Sequence, residues 1–466
     1  MPLQDRVSSG SDKLDQILGG GMPVNGISAI MGLPGSGKTI LAQQYLFHNA
    51  TSARPGIYLT TVSEPLEKVL HYAQALDLFR ADELGKSVFY EDAGRVLNDD
   101  GLPGILGHIT GLLLQRNPGI LVIDSFKALR AFARDDEEMR RFLHELAGKL
   151  SVFPVTSLWV GEYGRDEIAH APEFAVADAI LALSAVRSEG REMKVLEILK
   201  LRGSSFLGGQ HAYRIRPTGL DVFPRLADPV RHDEYSVSGE RRSSGVPLLD
   251  TVLHEGYWPG SSTMVAGPSG SGKTLLGLHF IFQGADEGDK GVIATLQENP
   301  TQLDRIARGY GWNLNHDDVD LMYRTPVDLY LDEWVHDLLA TVEESAANRV
   351  LIDSLGDLEM AARDEVRFRE YVYSLLQRFS RSAISVVMTQ EVPQLFGITT
   401  LSEKGVSHLA DNVILLQYLR GQSRIRRAVS VIKTRASSHD ADIREFEITS
   451  EGFELGEAFT EAQDLT

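Results

Sequence analysis

A duplicated α/β fold, each half a mostly parallel central sheet flanked by helices, is what this sequence predicts. The first reason is a repeat. Gly32-Leu33-Pro34-Gly35-Ser36-Gly37-Lys38-Thr39 recurs as Gly267-Pro268-Ser269-Gly270-Ser271-Gly272-Lys273-Thr274, a displacement of 273 − 38 = 235. The second is that three further features recur in the same order. Ser9-Gly10 with Leu14-Asp15 returns as Ser244-Gly245 with Leu249-Asp250; Ile120–Ser125 returns as 350–354; Lys200-Leu201-Arg202 returns as Lys433-Thr434-Arg435. The third is alternation of short apolar runs with helical patterns, the layout of parallel strands covered on both faces.

The elements follow in order. Ile27–Met31 reads as a strand entering the first glycine loop, and Thr39–Asn49 as the helix leaving it. Ile57–Val62 is a strand, Leu66–Leu76 a helix, and Ile120–Ile123 and Ser157–Val160 further strands. The second copy answers with strands at Ser262–Ala266, Val292–Leu296, Val350–Ile352 and Ile384–Met388 and a helix at Thr274–Gln283. Late strands at Lys194–Leu199 and Ala428–Ile432 add antiparallel members. The expected domains are 1–225 and 238–466, joined by a linker at 226–237 that carries Pro229 and several charges and has no periodicity.

Composition narrows the function classes. The 466 residues hold 46 Lys+Arg against 65 Asp+Glu, a net charge of −19, which opposes a broad grip on nucleic acid or anionic lipid. With no cysteine, disulfides and thiol catalysis are excluded. No apolar stretch approaches the ~20 residues of a membrane span, and the opening residues lack a signal layout, so a cytoplasmic chain is expected.

The chemistry is concentrated at the repeat. A phosphate chain needs several converging backbone N–H groups, and the glycines at 32, 35, 37, 267, 270 and 272 permit that wrap, with Ser36 and Ser271 inside it. Lys38 and Lys273 are expected on the β- and γ-phosphates, and the Thr39 and Thr274 hydroxyls on Mg²⁺. Asp124 and Asp353, ending apolar strands, are the expected metal-shell carboxylates. Glu64 and Glu298, which recur 298 − 64 = 234 apart, are candidates for orienting the attacking water. Lys200/Arg202 and Lys433/Arg435 put two cations on one face of a strand, a candidate finger lent to a neighbouring subunit's transition state.

These motifs resemble the KaiC family of bacterial clock ATPases, tandem members of the RecA-like P-loop superfamily. The stretch 411–418, followed by Ile432–His439 and Ile443–Phe446, carries the closest likeness, and the resemblance spans the whole chain. It implies ATP and Mg²⁺ as cofactors, ATP hydrolysis, a homohexamer with ATP between subunits, and Ser/Thr autophosphorylation in the second domain, with KaiB-like or signalling proteins as partners. The chain departs from the family at several positions. Where the family has adjacent glutamates, it has Ser63-Glu64 and Gln297-Glu298. The family's Ser-Thr phosphosites align with Ser407-His408, leaving Ser407 as the acceptor, with Asp411 kept downstream. A His follows the second Lys-x-Arg at His439, whereas Phe206 stands in the first copy. Few residues follow Phe459, so engagement of an activating partner through a long tail is not expected. Two alternative readings fit the same loops: a RecA- or DnaB-like DNA-dependent ATPase, for which Arg424-Ile425-Arg426-Arg427 is the densest basic patch, and a nucleotide-switched scaffold.

Overall fold

The computed structural model describes residues 6–62, 64–188, 191–226, 239–327, 329–362, 364–396, 406–420, 424–435 and 437–459. The chain divides into two compact units, Met1–Arg225 and Leu226–Thr466. Residue 226, read from sequence as the start of the linker, is packed in the core of the second unit. Its side chain is buried and its N–H donates to the Tyr371 hydroxyl. The rest of the expected linker, 227–237, lies outside the described residues, as do Ser63 and Ala436.

The first unit is a nine-stranded sheet in the order Gly219–Phe223, His211–Arg216, Arg191–Leu201, Ala179–Ser188, Ile27–Gly32, Thr156–Gly161, Ile120–Asp124, Gly56–Thr60, Val88–Asp92. From Ala179–Ser188 to Val88–Asp92 every neighbour is parallel; the other three strands are antiparallel. The second unit repeats the plan as Val319–Tyr323, Gly291–Thr295, Arg349–Asp353, Ser385–Glu391, Ser262–Gly267, Asn412–Arg420, Ile425–Thr434, Arg444–Thr449, Gly452–Ala458, again six parallel and three antiparallel. Each is a RecA-like domain.

Strands such as Ile120–Asp124 are apolar up to their closing aspartate because helices cover both faces. Helix Asp136–Val152 begins where the Asp135 side chain accepts from the Glu138 N–H at 2.8 Å. It buries Met139, Phe142, Leu143, Leu146 and Leu150, a stripe at helical spacing. In the second unit Asp364 caps Glu365–Arg381 in the same way, and Phe368, Tyr371, Val372, Leu375, Leu376 and Phe379 face the core.

The expected helix 66–76 ends earlier, at Ala73. The N–H groups of Ala75 and Leu76 bond three residues back, so the last turn tightens instead of continuing. Among the described residues no helix is long and apolar enough to cross a membrane.

Candidate functional site

In both units the glycine loop joins the central strand to a long helix, Lys38–Asn49 in the first and Lys273–Asp286 in the second. The residue before each helix is a left-handed glycine, Gly37 at φ 90° and Gly272 at φ 101°, and no side chain caps the helix start. The opening N–H groups therefore remain available to an anion, with the helix dipole behind them. The first glycine of each loop is required by a close approach. A Cβ on Gly32 would lie 2.1 Å from the Leu183 carbonyl oxygen, and one on Gly267 would lie 2.7 Å from that of Leu416. Hydroxyls hold the loops from outside: Tyr213 donates to the Ser36 carbonyl at 2.5 Å and Tyr418 to that of Ser269 at 3.3 Å. Lys194 Nζ adds a bond to the Gly35 carbonyl at 2.9 Å.

The loop lysines are buried, at 7% and 9% exposure, and curl onto their own loops. Lys38 Nζ donates to the Leu33 carbonyl and Lys273 Nζ to the Pro268 carbonyl, each at 2.9 Å. Burial pulls both ammonium groups below their ordinary pKa, against the nearby carboxylates. Inside the loops, the buried Ser36 and Ser271 hydroxyls find no partner among the described residues.

Threonine and aspartate come together in both units. Thr39 Oγ1 donates to Asp124 Oδ2 at 2.8 Å, and Thr274 Oγ1 to Asp353 Oδ2 at 2.9 Å. A hydroxyl beside a carboxylate at the foot of a phosphate loop is a hard-oxygen donor set that suits Mg²⁺ sharing its shell with phosphates. Each carboxylate has a second donor that sequence reading missed. Tyr58, from the strand on one side, donates to Asp124 Oδ2 at 2.5 Å; Thr389, from the strand on the other side, donates to Asp353 Oδ1. Nothing in the sequence marked either, because an aromatic or a threonine inside an apolar run reads as core.

Burial raises the pKa of both aspartates despite these hydrogen bonds. A carboxyl whose folded pKa is raised favours the folded state while protonated, and that advantage is lost as pH climbs through the folded value. Each buried aspartate therefore costs stability once pH lies above the unfolded carboxyl range. Asp124→Asn and Asp353→Asn should raise the melting temperature of the nucleotide-free chain, by about 2–4 °C for each kcal/mol relieved. Differential scanning calorimetry near pH 7 measures it, and an unchanged or lower midpoint would contradict the burial cost.

In the first unit these groups line a cleft of about 460 Å³ with Gly35, Gly37, Lys38, Thr39, Asp124, Ser125, Glu64 and Glu162. Glu64 is also ion-paired to Lys68 at 2.9 Å. Glu298 has Gln302 at the matching position, so it lacks that partner; its N–H donates to Thr295 Oγ1 at 3.3 Å. Glu162 was not anticipated from sequence. The clue was available: Glu162 and Glu391 are separated by 391 − 162 = 229, the same as Asp124 and Asp353.

The Lys-x-Arg cations are not brought to this cleft. Lys200 Nζ donates to the Phe174 and Ala175 carbonyls at 3.1 and 3.2 Å, and Arg202 pairs with Asp178 at 3.3 Å. In the second unit Lys433 reaches the carbonyls of Ser407, His408 and Ala410, the last at 2.6 Å. Arg435 donates to the His408 carbonyl at 2.8 Å and approaches Asp411 at 3.6 Å. Strand register explains the separation. Lys200 sits opposite Ile180, while the loop's Gly32 sits opposite Leu183 one strand over, so the pair occupies the sheet edge away from the phosphate loop. Arg426, from the basic patch, is neutralised by Glu445.

Two phosphate loops, each with its Thr–Asp pair on a RecA-like sheet, define a tandem P-loop ATPase. A family model described as "ATPase: KaiC" matches residues 7–227 and again 242–458, and the chain belongs to the KaiC ATPase family. It is 28% identical over 462 residues to the "Circadian clock oscillator protein KaiC" of Rippkaea orientalis, covering 96% of this chain and 87% of that one. It is also 28% identical over 472 residues to the "Circadian clock protein KaiC3" of a Synechocystis species, covering 98% and 92%.

Proposed function

We propose that this chain works as a homohexameric ring ATPase with ATP held between subunits in both tiers, acting as a nucleotide-state regulator. Gly32, Gly35, Ser36, Gly37 and Lys38 cradle one triphosphate, and Gly267, Gly270, Ser271, Gly272 and Lys273 cradle the other. Thr39 with Asp124, and Thr274 with Asp353, hold Mg²⁺, which when bound neutralises phosphate charge. Glu64 and Glu298 orient the attacking water, each supplying one carboxylate to its site.

The observation that carries the ring reading is the location of Lys200/Arg202 and Lys433/Arg435. Lys200 is level with Ile180 and so with Ala29, three residues from Gly32 or roughly 10 Å at about 3.3 Å each, and Arg202 lies two residues farther. A cation at that far edge does not serve its own phosphate loop, yet two crowded cations favour an anion. Burial, and then Arg202, lowers the Lys200 pKa; burial and then Arg435 do the same to Lys433. A neighbour's γ-phosphate is the partner that satisfies both facts.

Mixing tests this. A chain with Lys38→Ala and Lys273→Ala, and a second with all four finger cations changed to Ala, should each be inactive alone. Together they should recover phosphate release, because some interfaces join an intact cradle to an intact finger. No recovery, in samples shown by light scattering to form mixed rings in Mg-ATP, would place the fingers in cis and remove the ring's catalytic role.

Two narrower parts belong to the reading, and the first has its own test. Ser407, in the turn Val406–His408 whose carbonyls Lys433 and Arg435 hold, is the autophosphorylation acceptor. Mass spectrometry after incubation with Mg-ATP should find phosphate there; its absence with hydrolysis intact leaves an ATPase alone. KaiB-like or signalling proteins are the partners that would read the nucleotide state.

A further inference from the structure

Both units place a glutamate where the phosphate loop and the Thr–Asp pair meet. Strand Thr156–Gly161 lies between the loop strand and the Asp124 strand, with Met31 opposite Gly161 and Asp124 opposite Val160. Glu162 is the next residue, so it leaves the sheet between the two motifs. In the second unit Glu391 ends strand Ser385–Glu391 directly opposite Gly267, the first glycine of the loop. Their backbones are fixed at that edge. Lys127 Nζ donates to the Glu162 carbonyl at 2.7 Å, and the Val392 N–H donates to the Gly267 carbonyl at 3.0 Å.

Charge gives the position its meaning. Among the groups that favour the charged form of Lys38, Glu162 is the foremost and Asp124 the second; for Lys273 the order is Glu391, then Asp353. Each buried loop lysine thus lies in the field of this glutamate as well as in that of the metal-side aspartate. In the first cleft, Lys38 then faces three carboxylates: Asp124, Glu64 and Glu162. Lys68 offsets Glu64, which leaves the lining net negative. A lining of that sign opposes a triphosphate until a cation accompanies it.

We propose that Glu162 and Glu391 are exchangeable counter-ions of the phosphate-loop lysines and positioning residues for hydrolysis, working beside Glu64 and Glu298. Without nucleotide, each neutralises its lysine. When a triphosphate binds, the lysine's charge turns to the phosphates, and the released carboxylate accepts a hydrogen bond from the water that attacks. In that step the water oxygen bonds to the γ-phosphorus as the bond to the β–γ bridging oxygen breaks. The leaving diphosphate keeps the bonding electron pair, and the water's proton passes through a carboxylate to solvent. This rests on the ATPase reading above, and it predicts that the same residue restrains binding while it promotes turnover.

That opposition supplies the test. Glu162→Gln is made in full-length protein whose second site is silenced by Lys273→Ala, and Glu391→Gln in a Lys38→Ala background. Binding of a fluorescent ATP analogue, titrated with and without Mg²⁺, should tighten several-fold, most strongly without the metal, because one repelling charge is gone. The kcat for phosphate release should fall by at least about tenfold, and Glu162→Asp should restore much of it. Calorimetry checks that the variants remain folded. Unchanged kcat, or weaker binding, would overturn the proposal. Failure of the ATPase reading itself is separable: hydrolysis would then survive in the unaltered Glu162 background carrying both Lys38→Ala and Lys273→Ala.

Discussion

Phosphate release should fall at least about 10²–10³-fold when Lys38 and Lys273 are both changed to Ala, the range lost when a fixed electrostatic stabiliser is removed from a phosphoryl-transfer site. Each lysine is buried at the loop it belongs to and hydrogen-bonded to that loop's own carbonyl, and nearby carboxylates partly offset the burial that lowers its pKa. Its removal costs the loop its positive charge and leaves Asp124 with Glu162, and Asp353 with Glu391, facing phosphate oxygens unopposed. The single variants should each retain the activity of the other site, which measures how the two units share turnover. A malachite-green assay on purified protein is sufficient. Hydrolysis persisting at the unmodified rate in the double variant would remove both glycine loops as the site.

The largest expected loss of stability lies elsewhere, at Arg349→Ala. Arg349 is 1% exposed. Its guanidinium bonds Asp289 at 2.8 Å, Glu287 at 2.7 Å, and the Ser243 and Phe280 carbonyls at 2.8 and 3.0 Å, with the Phe280 ring beside it. Truncation would strand partly buried acids and two carbonyls, a change that costs about 3–5 kcal/mol. Gly284→Ala should perturb the same spot, because a Cβ there would lie 2.4 Å from the Arg349 side chain. The cluster also predicts a pH dependence. Burial raises the Asp289 pKa, but the bonds from Asn348 and Arg349 outweigh it and the net shift is downward. A depressed carboxyl stabilises the fold above its unfolded pKa, near ~3.9, and that contribution is lost as pH falls through the lower folded value. Hydrogen exchange of the second unit in the full-length chain measures both effects. Unaltered protection in Arg349→Ala would show that the cluster contributes little.

The first unit has Ile120 where Arg349 stands in the second, at the same 229 displacement, and Arg54 where Asp289 stands at 235. Duplication preserved the sheets while the polar groups in and around the two cores diverged. The same holds beside the metal-side carboxylates, where Tyr58 and Thr389 come from opposite flanking strands. Sequence comparison of the halves found what recurs and passed over these singular contacts, because an isolated residue in an apolar run carries no pattern. Glu162 and Glu391 did recur, and were passed over because an acid after a strand is an ordinary turn residue.

The sequence by itself determined the doubled α/β plan, the two glycine loops, and the Asp residues that close the apolar strands. All of these are written in local chemistry: backbone freedom at glycine, burial periodicity along a strand, and a fixed spacing between copies. Tertiary structure alone decided which groups meet. Sheet register set the Lys-x-Arg pairs at the edge away from the phosphate loop, and the order of the strands placed Glu162 and Glu391 beside the first glycine of each loop. Strand order is a property of long-range pairing, and residues more than a hundred positions apart become neighbours through it without any mark at either position.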